Sequence, residues 1–140
     1  LLRVRLGYPD AASEREMLAG SDRREMIAQA MPKLSTEDVL ALRAAVARVH
    51  ASDALIAYVQ SLLGESRRHR GVRVGLSPRA GLALLQGARA LALIDGRAHA
   101  LPEDVQALFV EVAAHRLVPE AEADSRDALA ASILKSVAVD

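Results

Sequence analysis

An all-α domain of about seven helices, led by one short strand, is the fold class this sequence predicts. Three observations carry that expectation. Apolar residues make up 51% of the 140-residue chain, yet only Tyr8, Tyr58 and Phe109 are aromatic, so the core is expected to be Leu, Val and Ala. Ala and Leu have high helix propensity, and small Ala side chains let helices approach closely. Helix-start chemistry also recurs along the chain, at Ser13, Ser35, Ser52, Ser77-Pro78 and Pro102. A chain of this length buries roughly two-thirds of its unfolded surface, enough for one independent core.

Each element follows in order. In LLRVRLGYPD, Leu2, Val4 and Leu6 alternate with Arg3 and Arg5, the period of a half-buried strand, and Gly7 and Pro9 end it. One strand cannot form a sheet alone. The chain opens without Met or a leader, so the strand's partners are expected upstream. Asp10 or Ser13 caps a short helix, Ser13 and Glu16 having capping-box spacing, with Met17 and Leu18 as its expected buried members. SDRREMIAQAMPKLS gives a second short helix ended by Pro32.

Ser35 caps a longer third helix, with Glu37 and Asp38 in its first turn and Val39, Leu42, Val46 and Val49 at helical spacing. Ser52 starts the fourth, whose core face is Leu55, Ile56, Val59, Leu62 and Leu63 and whose stop is Gly64. ESRRHRGVRVG reads as a basic connector. From Ala80 to Ile94 only Gln86 and Arg89 are strongly polar, which predicts a central fifth helix buried on several sides, with Asp95-Gly96 at its end. In HALPEDVQALF, Pro102, Glu103 and Asp104 make a strong start. Val105, Leu108, Phe109 and Val112 form that helix's buried face, and His115 and Arg116 complement its C-terminus. PEAEADS reads as an acidic linker to a last helix with Leu129, Ile133, Leu134 and Val137 on one side.

The same residues exclude several function classes. Lys plus Arg and Asp plus Glu both total 18, and a neutral balance argues against a dedicated nucleic-acid or membrane-surface binder. With no cysteine, disulfides and cysteine metal sites are excluded, which fits a reducing compartment. No apolar run approaches the ~18 residues of a membrane span. The phosphate-loop pattern G-x-x-x-x-G-K-[ST] and the Gly-x-Ser-x-Gly elbow are both absent. His50, His69, His99 and His115 are widely separated, without metal-ligand spacing. Glu37-Asp38 and Glu103-Asp104 sit in first turns, where dipole compensation explains them, and Asp95 reads as a helix-end residue. SRRHRG, 66–71, reads as a solvated charge run. No complete catalytic site and no metal site is expected in this chain.

Arg79 is the exception. In GLSPRAG, Ser77 suits an N-cap and Pro78 the first helical position, so Arg79 falls in the first turn, where a cation is disfavoured. One reading is a solvated arginine that leans away from the dipole, at a tolerable cost of ~0.3–1 kcal/mol. The other is an anion site, in which the guanidinium fork strengthens the phosphate preference of a helix N-terminus. Local physics alone favours the first.

The order of motifs adds a resemblance. RVRLGYPD, then SERE, then GLSPRAGLALLQGARALALIDGR, then HALPEDVQALF resembles the C-terminal lid region of MoxR-family AAA+ ATPases over about residues 1 to 118. The resemblance implies a helical AAA+ lid-type bundle at 10–118. Residues 1–9 would be the terminal strand and hinge from an upstream α/β ATPase core, and 119–140 an acidic linker and C-terminal helix. It places Arg79 at the family's sensor-two position, contacting the γ-phosphate of ATP, and puts Tyr8 and Pro9 near a hinge where they would help enclose the nucleotide base.

ATP and Mg2+ would be bound mainly by the missing core, whose phosphate loop, magnesium-binding acids and arginine finger precede residue 1. The resemblance further implies a cytoplasmic ATPase, a ring homo-oligomer and chaperone-like maturation of protein complexes. A von Willebrand factor A domain partner is part of the same expectation, and a membrane or nucleic-acid partner is not. The chain alone is not expected to hydrolyse ATP. The alternative is an autonomous helical protein-interaction or DNA-binding module, for which SRRHRG supplies some charge, though the leading strand would then be unexplained.

Overall fold

The computed structural model describes residues 2–20, 23–121 and 125–139. Among these, the helices are α1 (Ala11–Ala19), α2 (Arg23–Gln29), α3 (Thr36–Arg48), α4 (Asp53–Arg68), α5 (Pro78–Ile94), α6 (Pro102–Ala113) and α7 (Arg126–Ser136). A 3-10 turn, Ala114–Arg116, extends α6, and two short strands, β1 (Val72–Val74) and β2 (Val118–Pro119), pair antiparallel. The mostly helical architecture is the one the sequence predicts.

Helix starts are set by side chains that accept otherwise unpaired amides. Asp10 caps α1 by accepting from Ser13 N at 2.8 Å. Ser35 and Asp38 form a reciprocal capping box on α3. Ser52 caps α4, accepting from Leu55 N at 3.2 Å, and Ser125 accepts from Ala128 N at the start of α7.

The core is built by α4 to α7. Leu55, Val59 and Leu62 from α4, Leu84 and Ala88 from α5, Val105 and Phe109 from α6, and Ala130 and Ile133 from α7 are all buried. α5 lies at the centre, packed against α3, α4 and α6, while α7 covers α4 and α6. Close approach of α5 to α4 relies on Gly81: a Cβ there would stand 2.8 Å from Leu63 Cδ1. Arg116 donates to the carbonyl of Val112, so the C-terminal end of α6 is satisfied by a cation as its sequence suggests.

Several expectations are corrected. Residues 2–10 form no strand; Val4 and Leu6 are exposed, and Arg3 N donating to Glu111 O at 3.0 Å is the backbone bond that docks the segment. Alternation alone makes no strand where no neighbouring edge is there to pair with. α4 runs through Gly64 to Arg68, because the cost of about 1 kcal/mol for a helical glycine is offset by burial of Leu62 and by the two hydrogen bonds of Ser66 beyond it. Part of the basic connector is β1, and the linker begins with β2, where Val72 faces Pro119 and Val74 faces Val118. Met17, Leu18, Val39, Leu42 and Ile56 are exposed instead of buried, and Leu82 and Ile94 leave α5 open on one side. Their spacing is helical, but the described elements leave these side chains uncovered.

Candidate functional site

The start of α5 differs from the other capped helices in its chemistry. Ser77 has the extended backbone of an N-cap but its hydroxyl makes no cap hydrogen bond, Pro78 follows at the first position, and the first turn contains no acid. Ala80 N reaches the Ser77 carbonyl at 2.9 Å, tightening the first turn. Arg79 is exposed, and it has neither a hydrogen bond nor an ion pair to any described residue. The helix therefore presents a positive end reinforced by a free guanidinium, with no carboxylate nearby in sequence to neutralise it.

Beside this helix start lies an open groove of about 590 Å³, lined by Gln60, Ser61, Leu63, Gly64, Arg67, Arg68 and Pro78. Arg68 is weakly tied to Glu65 at 3.5 Å, one helical turn away. The groove and the α5 terminus together form a cationic surface that suits phosphate oxygens: a fixed dipole end, a mobile planar fork and no competing acid in the first turn. Among the described residues, no three His, Asp or Glu side chains converge to hold a metal ion.

Tyr8 and Pro9 are exposed, and Tyr8 is not covered by any described residue, so the described fold does not seat them against Arg79. Gly7, at φ 69°, turns the chain just before them into the Asp10 cap of α1. Asp95 closes α5 as its C-cap.

Three polar clusters escape a reading of local spacing. Arg97 grips Asp104 with two bonds of 2.7 and 2.8 Å and reaches Asp95 at 2.9 Å, tying the α5–α6 loop to the first turn of α6. Asp104 also accepts from Leu101 N at 2.8 Å, so it is both a cap and an ion-pair partner. The Arg97 hydrogen bonds hold the Asp104 carboxyl below its ordinary pKa, against the opposing effect of burial. His50 and His99 come together through backbone bonds, His50 N to Ala98 O and Ala100 N to His50 O, both 2.9 Å. Arg3 and Arg5 both pair with Asp127, fastening residues 2–6 to the start of α7. Each joins residues distant in sequence or lying across a loop, and only the i, i+3 relation of Leu101 to Asp104 left a local trace.

Comparison with known proteins adds a family. The AAA lid domain family matches residues 64–135. The uncharacterized protein YeaC of Bacillus subtilis is 30% identical over 137 residues, covering 98% of this chain and 43% of YeaC. Chaperone MoxR1 of Mycobacterium tuberculosis is 34% identical over 127 residues, 84% of this chain and 33% of MoxR1. A crystal structure of a candidate ATPase from Cytophaga hutchinsonii superposes with a TM-score of 0.84 at 26% identity, over 99% of this chain and 46% of that one. The chain thus spans less than half the length of these relatives.

Proposed function

The chain belongs to the AAA lid domain family, in its MoxR-type branch, and on that premise we propose that it closes over ATP held by an upstream core and senses the γ-phosphate through Arg79. One observation carries the reading: an exposed arginine without a partner at a helix N-terminus that has neither a side-chain cap nor an acid in its first turn. A phosphate is the counter-ion that such a terminus favours. Arg79 would bind and orient phosphate oxygens and lose that contact on hydrolysis, so the angle between lid and core would follow nucleotide state. A guanidinium has donors and no acceptor, so it would not be the base that activates water.

In the full-length protein, ATP and Mg2+ would be held mainly by the core, with Tyr8 and Pro9 at the hinge closing on the base. The coupling would serve chaperone-like remodelling of protein complexes, in keeping with the chaperone name of MoxR1. It would operate in a ring of identical subunits in the cytoplasm, with a von Willebrand factor A domain protein as partner. No helix among the described residues is long and apolar enough to cross a membrane.

Steady-state ATP turnover of the full-length protein tests the assignment. Arg79→Ala should lower it at least about tenfold, the equivalent of one charge-assisted contact to the transition state, with far-UV helicity retained. Unchanged turnover in a folded variant would return Arg79 to the role of a solvated surface residue. Particle mass measured with and without nucleotide would test the ring.

A further inference from the structure

The loop that delivers Arg79 is held from an unexpected direction. Ser66, in the last turn of α4, is 0% exposed, although it opens the arginine-rich run SRRHRG. Its hydroxyl is used in both directions, donating to Leu63 O at 2.7 Å and accepting from Leu76 N at 2.9 Å. The next residue, Arg67, donates through Nε to Leu76 O at 3.0 Å. Both backbone polar groups of Leu76 are therefore held by consecutive residues of one helix. The Leu76 side chain is itself buried, at 2% exposure.

Gly75 completes the clamp. A Cβ there would stand 2.7 Å from Ser66 O and 2.8 Å from Arg67 Cα, so the loop lies directly on the α4 backbone. From Leu76 only Ser77 and Pro78 intervene before Arg79, and the Pro78 ring fixes φ in that short span. Five residues beyond Leu76, Gly81 is pressed against Leu63 and Val59, which secures α5 to the same helix one to two turns earlier. Separating the loop from α4 would leave the Leu76 amide and carbonyl to find new partners in a buried place.

We infer that Ser66 and Arg67 are positioning residues for Arg79, fixing the start of α5 so that the guanidinium meets a phosphate oxygen at one place. The inference rests on the sensor reading of Arg79 and extends it to residues that act through the Leu76 backbone. A group that distinguishes a γ-phosphate from its absence works only if it is held to within about 0.5 Å, and a 1 Å misplacement costs on the order of a hundredfold. Ser66 and Arg67 act on that placement through the Leu76 backbone, and Ser66, being uncharged, does so without any charge of its own.

The test uses the full-length protein with Ser66→Ala, Arg67→Met and Arg79→Ala, and each of the first two combined with the third. Affinities for a non-hydrolysable ATP analogue and for ADP are measured beside turnover. Ser66→Ala and Arg67→Met should each weaken the analogue about fivefold or more while leaving ADP within about twofold. Neither should add a further loss in the Arg79→Ala background, the non-additivity expected of residues acting through one contact. Arg67→Met keeps an aliphatic stem and removes the donor together with its charge. Loss of charge alone would weaken ADP and the analogue together, so a loss selective for the analogue answers the question even where Ser66→Ala fails to fold.

Losses that multiply in the Arg79→Ala background, analogue and ADP affinities falling together, or no change in folded variants would each overturn the inference. If Arg79→Ala weakens the analogue selectively while Ser66→Ala and Arg67→Met do not, the sensor reading stands and the positioning role falls. If Arg79→Ala leaves the analogue untouched, the sensor reading itself fails.

Discussion

Arg79 was readable from sequence because it breaks a local rule: a cation in a first turn, after Ser77 and Pro78, with no acid beside it. Ser66 was not, because its partner lies ten residues on across a loop and a strand, and its neighbours Arg67 and Arg68 made it look solvated. Gly75 gives a direct test of that packing. Gly75→Ala should destabilise the chain by about 1–3 kcal/mol in urea unfolding, since its Cβ meets backbone atoms that cannot swing away. Asp104 gives a second. Asp104→Asn keeps an oxygen for the Leu101 amide but loses the charged grip on Arg97, at a cost of about 1–3 kcal/mol near neutral pH. The folded protein holds this carboxyl below its ordinary pKa, so its contribution is intact above about pH 4 and disappears as pH falls through the depressed value. The difference between wild type and Asp104→Asn should therefore shrink as unfolding is repeated from pH 6 towards about pH 3, and a constant difference would refute the ion-pair account.

At the scale of elements, caps were the most reliable signal, because a Ser or Asp and the amide it accepts lie within three residues of each other. Ser35, Ser52 and the Pro78 and Pro102 starts all occur where the sequence places them. Stops were weaker signals: Gly64 is outweighed by the packing on either side of it, which no local rule records. β1 and β2 escaped notice because each is only two or three residues long and their pairing joins segments more than forty residues apart. The last helix is part of the core and not an appendage, as Ile133 at 0% exposure makes plain. Ile133→Ala should lower stability by about 2–4 kcal/mol, measured as a shift of the urea midpoint. A loss below about 0.5 kcal/mol would mean that α7 is not held where the packing puts it.

For the whole molecule, burial divides the chain unevenly. α4 to α7 share one core, whereas α1 and α3 bury no residue fully within the helix and expose Met17, Leu18, Val39 and Leu42. Amides of α4 to α6 should accordingly exchange slowly with deuterium and those of α1 quickly, a contrast read by mass spectrometry of the isolated chain. The helical class and the family were both open to a sequence reading, since composition sets the first and the order of motifs the second. The covering of those exposed faces was not, because periodicity reports that a face is apolar and not what lies against it. The central claim is that this lid moves with nucleotide state through Arg79. The chain contains no cysteine, so Lys135→Cys, exposed on α7, offers a single site for a spin label within it. The decisive measurement is the distance from that label to one on the core domain of the full-length protein, with a non-hydrolysable ATP analogue and with ADP. The account predicts two distances in the wild type and one, the ADP distance, in Arg79→Ala. A single distance in the wild type, or a shift that survives Arg79→Ala, would contradict it.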